Sequence, residues 1–126
     1  MIHYLDTQIM VWLSQRQLDK LSPRVITAIE ESQLLISPMV LLELEYLYEL
    51  KRIIQPPQSL FSQLDSQIGL QVCEHSFSAI VQTAILETWT RDLFDRVIVA
   101  HAKSNGYASL ITSDGKIREN YPKTTW

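Results

Sequence analysis

The sequence predicts an α/β domain built on a central, mostly parallel sheet of four to five strands flanked by helices. Two observations predict it. Short apolar runs, too brief for helices, alternate with longer segments of helical periodicity, as in sheets whose strands are joined by crossover helices. Acidic residues recur where those runs end, at the sheet edge where α/β proteins place their chemistry. Residues 1–126 are expected to form one domain, long enough for a core and too short for two.

Taken in order, Ile2 to Leu5 is the first strand, and Asp6-Thr7 ends it. Gln8 to Gln15 follows as a helix with Ile9, Trp12 and Leu13 on one side. Ser22-Pro23 starts a second helix, with proline at the first helical position, where its missing N–H does no harm. It carries Val25, Ile26 and Ile29 and fades through Glu30 to Gln33. Leu34 to Ile36 is the second strand. Ser37-Pro38 then opens a helix reaching to about Ile53, its apolar face formed by Val40, Leu41, Leu44, Leu47 and Tyr48. Glu45, Glu49 and Arg52 fall on the opposite side, where Arg52 can pair with Glu49.

Pro56-Pro57 breaks the chain before an amphipathic helix, Gln58 to Ile68, that Gly69 ends. Leu70 to Cys73 is the third strand. Ser76 caps a helix expected to turn Ile80, Val81, Ala84, Ile85 and Leu86 inward. Arg91 to Lys103 is the next helix, opening on Asp92 and stopped by Asn105-Gly106. Ala108 to Ile111 is the fourth strand, Lys116 to Asn120 a short basic helical turn, and Pro122 to Trp126 a candidate edge strand. No internal repeat is visible.

Composition excludes several classes. Hydrophobic residues at 46% and charged residues at 20% are ordinary for a soluble globular domain. The first residues lack the basic region of a signal peptide, and no stretch approaches the ~20 apolar residues of a membrane span. The lone Cys73 cannot close an internal disulfide, which suits a cytoplasmic location, and it reads as a small buried residue. A net charge of −3 by itself argues against a nucleic-acid binder.

Two carboxylates stand where the pattern wants apolar groups. On the Arg91–Lys103 helix only Arg96 and Lys103 share a solvated edge, yet Asp95 falls between Val99 and Ala102. A carboxylate there costs free energy unless something compensates it. Its first-turn position supplies part of that, roughly 0.3–1 kcal/mol from the helix dipole. Glu43 lies between Leu47 and Leu50 at the edge of the core; taken alone it reads as an acid reaching water at a helix boundary. Asp6 and Asp114 follow the first and fourth strands. With Asp95 in the first turn of the helix feeding the fourth strand and Glu43 in the second turn of the helix leaving the second, all four can converge on one sheet edge.

Two like charges ~5 Å apart repel by roughly 3 kcal/mol at an effective dielectric near 20, so such a cluster calls for cations. Oxygen ligands without His or Cys favour Mg²⁺ or Mn²⁺ over Zn²⁺. A metal so held can activate water and stabilise the oxygens of a phosphodiester. With four acids neutralised, the net charge of −3 becomes +1. Arg91, Arg96, Lys103, Lys116 and Arg118 are then candidates for phosphate contact, although each singly reads as a solvated surface charge. His3, His75 and His101 have neither triad order nor ligand spacing, and His101 reads as a half-exposed helix residue.

Together the segments Tyr4-Leu5-Asp6-Thr7, Ser37 to Glu43, Arg91 to Ala100 and Leu110 to Asp114 resemble the PIN domain, and more narrowly the VapC-like toxins of bacterial toxin–antitoxin pairs. The ending from Ile117 to Trp126 is similar to one subgroup of these. Leu93 departs from that subgroup, which often has proline there; the change touches the helix start and no acid. The resemblance implies a PIN-like three-layer sandwich and Mg²⁺- or Mn²⁺-dependent endoribonuclease activity. It implies Asp6, Glu43, Asp95 and Asp114 as the catalytic metal-binding acids. Thr7, Asp92 and Thr112 take supporting places, Asp92 as a helix cap first and an accessory acid second. The implied partners are an RNA substrate and a small cognate antitoxin, in a homodimer or a toxin–antitoxin hetero-oligomer. The rival reading is a catalytically silent PIN-like module that acts only by binding protein.

Overall fold

The computed structural model describes residues 1–126. Five strands form one sheet: β1 (Ile2–Leu5), β2 (Gln33–Ile36), β3 (Gln71–Val72), β4 (Ser109–Ile111) and β5 (Thr124–Thr125). Their order is β3-β2-β1-β4-β5, and every neighbouring pair is parallel. The sheet is thus five-stranded and wholly parallel, with helices on both faces. Burial explains the strand composition: in β1 His3, Tyr4 and Leu5 are all buried, which only a sheet covered on both sides requires. Tyr4 sits in register between Leu35 and Leu110 at the centre.

The helices are α1 (Thr7–Ser14), α2 (Pro23–Glu31), α3 (Pro38–Glu49), α4 (Pro57–Ile68), α5 (Phe77–Ala84), α6 (Leu93–Ser104) and α7 (Gly115–Asn120). Five of them start on a side-chain cap: Asp6, Ser22, Ser37, Asp92 and Asp114 each accept a backbone N–H of the first turn. Gly69 closes α4 in the left-handed conformation at φ +68°. No helix is long and apolar enough to cross a membrane.

Several expectations are corrected. Helix α3 ends at Glu49 rather than near Ile53, because Lys51 takes a left-handed φ of 61° and Arg52 N–H turns back to the Leu47 carbonyl. Arg52 therefore lies outside the helix and makes no ion pair with Glu49; Lys103–Glu87 is the one salt bridge. Tyr48 is partly exposed rather than on the apolar face. Helix α5 stops at Ala84, so Ile85 and Leu86 lose its phase and are 61% and 75% exposed instead of facing inward. The third strand is shorter than Leu70–Cys73.

Helix α6 buries six consecutive residues, Val97 to Ala102. Its Ile98, Val99 and Ala102 join the main core, while Val97 and Ala100 pack with Ile80 and Ala84 of α5 in a second cluster. Enclosed on both sides, His101 is 1% exposed, not half-exposed. Its Nδ1 lies 2.8 Å from Ser37 Oγ and 3.2 Å from the Val97 carbonyl. Burial also pushes its pKa down. Lys103, expected on a solvated edge, instead reaches Glu87, a carboxylate only 2% exposed that also accepts Trp89 Nε1–H at 2.6 Å.

Removing one partner of a buried pair leaves an uncompensated charge, whereas replacing both with apolar groups is often neutral. Lys103→Met should therefore lower stability by roughly 2–4 kcal/mol in urea titration, and Lys103→Met with Glu87→Leu should recover most of it. Equal losses for the single and double variants would show the pair is not coupled.

Candidate functional site

The site starts from the junction of β1 and β4. Asp6 N–H donates to the Ile111 carbonyl at 3.0 Å, which carries the β1–β4 ladder one residue past the strand. That bond fixes where the Asp6 side chain leaves the sheet. Its Oδ1 accepts Thr7 N–H at 2.8 Å, and its Oδ2 accepts the Thr112 hydroxyl at 2.7 Å. Thr112 is fully buried, and its Oγ1 in turn accepts Asp114 N–H at 3.0 Å. One threonine thus ties together the acids that follow two neighbouring strands.

Thr7 makes the second tie, donating its hydroxyl to Glu43 Oε1 at 2.5 Å. Glu43 lies in the second turn of α3, so this bond crosses from α1 to α3. Asp92 caps α6 by accepting Asp95 N–H at 3.2 Å, and Asp114 caps α7 by accepting Ile117 N–H at 3.0 Å. The loop before α6 is held by Thr90, whose Oγ1 accepts Asp92 N–H at 3.1 Å and whose carbonyl accepts Arg96 Nε–H at 2.9 Å.

Asp6, Glu43, Asp95 and Asp114 all line one open cavity of about 360 Å³, and Asp92 joins them. Asp92 is thus both a helix cap and a fifth carboxylate of the cavity. Thr7, Gln8, Leu47 and Ser113 complete the lining, and no Lys or Arg is among them. Gln8 and Ser113 were missed because neither carries a signal beyond adjacency to Asp6 and Asp114. Among the candidate phosphate contacts, Arg91, Lys116 and Arg118 are exposed, Arg96 is engaged with Thr90, and Lys103 is taken up by Glu87.

The electrostatics follow from burial and crowding. Asp95 is raised from 3.8 to about 7, first by burial and then by Asp92, Asp6, Asp114 and Glu43. Asp6 is also raised, chiefly by burial, against the opposing hydrogen bonds from Thr112 and Thr7. Glu43 is raised for the same leading reason, with the Thr7 bond opposing. The anchors are thus neutral donors. They hold the carboxylates in place without cancelling their charge.

A family model for the PIN domain matches residues 3–121. The chain belongs to the PIN domain family. Solved structures agree on the fold. VapBC2 from Rickettsia felis, bound to a DNA fragment from its promoter, superposes with a TM-score of 0.70 at 23% identity, over 98% of this chain and 96% of the other. DNA-bound VapBC from Salmonella typhimurium gives 0.64 at 18%, over 98% and 95%. VapBC-1 from nontypeable Haemophilus influenzae gives 0.58 at 20%, over 100% and 96%. No curated protein matches the sequence.

The chemistry of this PIN domain's cavity fits a hard cation, since all its charged donors are carboxylate oxygens. No three of them are drawn into a ready-made ligand set. Mg²⁺, if bound, would keep several waters and take only one or two protein carboxylates directly.

In the metal-free protein Asp95 keeps its proton up to about pH 7, against 3.8 in the unfolded chain. The folded state then binds more protons than the unfolded one between those values, so the Asp95 contribution to stability falls as pH rises through that window. The stability difference between Asp95→Asn and wild type should accordingly grow in favour of the variant from pH 4 to 7. Solvent screening of this half-buried group holds it to on the order of 1 kcal/mol, or about 3–6 °C in Tm. A difference independent of pH would contradict the upward shift of Asp95. For the wild type, Mg²⁺ or Mn²⁺ at 100 times its Kd should add about 2.7 kcal/mol over EDTA. Equal melting in both would argue against a cation site.

Proposed function

We propose that this PIN domain is a divalent-metal-dependent endoribonuclease and the toxin of a toxin–antitoxin pair. The observation that carries the nuclease reading is the single cavity that gathers five carboxylates with no Lys or Arg in its lining, where burial and then the neighbouring acids push Asp6, Glu43 and Asp95 upward. A silent interaction module would have to tolerate that repulsion with nothing gained. Support for the toxin reading comes from the VapBC complexes that share the fold; a cognate antitoxin would be the partner, in a dimeric or hetero-oligomeric assembly.

In this reading Asp6 and Asp95 would hold Mg²⁺ or Mn²⁺, and Glu43 and Asp114 would complete its surroundings or orient water. The metal, when bound, supplies the charge that makes water nucleophilic and stabilises the phosphodiester oxygens. The chain's own residues do the rest. Thr112 and Thr7 N–H fix both Asp6 oxygens, so that carboxylate is preorganised rather than recruited. Thr7 sets Glu43 against it, and the Thr112–Asp114 bond sets the opposite wall. Water attacks phosphorus in line, and the products carry a 5′-phosphate and a 3′-hydroxyl. The ribose 2′-hydroxyl is not used, so no histidine base is required; His101 is buried away among Ser37 and Val97.

Digestion of a structured RNA by wild type with Mg²⁺ should yield 5′-phosphate ends, and Asp6→Asn should lower the rate by at least ~10²-fold. Ends bearing 2′,3′-cyclic phosphate, or cleavage surviving both EDTA and Asp6→Asn, would overturn the mechanism.

For the biology, expression alone should arrest bacterial growth, and co-expression of a small protein encoded next to the gene should relieve it. The blocking segment should carry Arg or Lys, since a cation suits a carboxylate pocket and Arg can pair with it bidentately. Harmless induction of a protein that still cuts RNA would remove the toxin role and leave the nuclease.

A further inference from the structure

The acid cavity adjoins a second hollow of about 610 Å³, within the ~300–1,000 Å³ typical of ligand pockets. Glu43, Leu47 and Asp92 line both, so they form the wall between them. Past that wall the lining changes character, to Leu42, Tyr46, Leu93 and Phe94 with Arg52 as its one cation. Helical spacing produces the juxtaposition. Glu43, Tyr46 and Leu47 stand at i, i+3 and i+4 on one face of α3, while Phe94 immediately precedes Asp95 in the first turn of α6. The left-handed turn at Lys51 brings Arg52 back to the same hollow.

The Tyr46 and Phe94 rings meet with centroids 5.9 Å apart and planes inclined at 34°. Phe94 therefore props the tyrosine from one side, and Tyr46 remains 51% exposed. Leu42 and Leu93, at 58% and 69% exposed, flank it as uncovered apolar surface. Phe94 packs against the core, whereas Leu42, Tyr46 and Leu93 take no part in it.

We propose that this hollow is a nucleobase subsite, in which the base adjoining the cleaved bond stacks on Tyr46 and Arg52 contacts the backbone beside it. The proposal rests on the nuclease reading and extends it to the substrate. A phosphodiester in the acid cavity belongs to a strand whose next nucleotide lies within reach of a hollow that shares the cavity's walls. This one does. An exposed ring beside a cation is the combination with which proteins hold unpaired bases, because every base offers a π-face. Arg52 also supplies the positive charge that the lining of the acid cavity lacks. A stacked base must be free of a duplex on at least one face, so the substrate class is unpaired RNA at the cut site.

The test compares wild type, Tyr46→Ala and Tyr46→Phe on a short single-stranded RNA and on the same RNA with an abasic ribose beside the cleaved bond. Tyr46→Ala should raise KM on the intact RNA roughly 5- to 150-fold, the range for one stacked base, with kcat changed less than about twofold. Tyr46→Phe should behave as wild type, since it keeps the ring. On the abasic RNA the penalty of Tyr46→Ala should vanish. An unchanged KM, a loss confined to kcat, or a penalty that persists on the abasic RNA would overturn the subsite. So would a Tyr46→Ala protein with normal RNA kinetics and weakened binding of an apolar helical peptide, which would make the hollow a protein-docking surface.

Anisotropy of a fluorescein-labelled single-stranded RNA, measured with Ca²⁺ in place of Mg²⁺, separates the two readings. If wild type cleaves nothing, the nuclease reading fails. The subsite then stands if Tyr46→Ala weakens that binding and falls if it does not.

Discussion

Like charges ~5 Å apart repel by about 3 kcal/mol at an effective dielectric near 20, and this fold gathers five carboxylates around one cavity. The arrangement survives because each anchor is local and neutral. Asp6 is held by a backbone N–H and the Thr112 hydroxyl, Glu43 by the Thr7 hydroxyl, and Asp92 and Asp114 by the N–H groups they cap. Helix N-termini favour negative charge by a few tenths to about 1 kcal/mol each, so three caps soften the repulsion without removing it. Burial first, and then the repulsion that is left, raises Asp95 to about 7.

Glu87 shows the alternative that the fold reserves for structure. That carboxylate is more deeply buried than any acid of the cavity, yet it has both a lysine and an indole N–H for partners. The bond from Trp89 and the position of Thr90 then carry the loop to Asp92, where α6 begins. Compensated acid and uncompensated acids stand at opposite ends of one short loop. The cavity is therefore negative by arrangement and not through any shortage of cations in the chain, whose eleven Lys and Arg lie elsewhere.

The same economy of elements sets the neighbouring hollow. Helices α3 and α6 each deliver an acid to the cavity and an aromatic ring beyond it, within four residues. A change that tilts either helix would move both together, which couples the proposed chemistry to the proposed grip on a base.

The sheet, its parallel sense and the four acids at its carboxyl edge were legible from sequence because their causes are local. A short apolar run followed by a capping residue specifies a strand end and a helix start within a few positions. Asp6 and Asp114 are such caps, and Asp95 and Glu43 are polar exceptions to a helical pattern. The misplaced residues were those whose surroundings come from distant parts of the chain. Helical phase set Lys103 on a free edge and His101 half in water, since nothing nearby in sequence announces Glu87 or the Ser37 hydroxyl that meet them. Ile85 and Leu86 followed the phase of a helix that ends before them, and Arg52 the phase of one that a left-handed Lys51 cuts short. Asp92 read as a cap, and it is one; its second place on the cavity wall depends on where α6 enters relative to β1 and α3. Periodicity is a property of one element and survives in the sequence. Which element faces which, and so which charge meets which partner, exists only once the chain has packed.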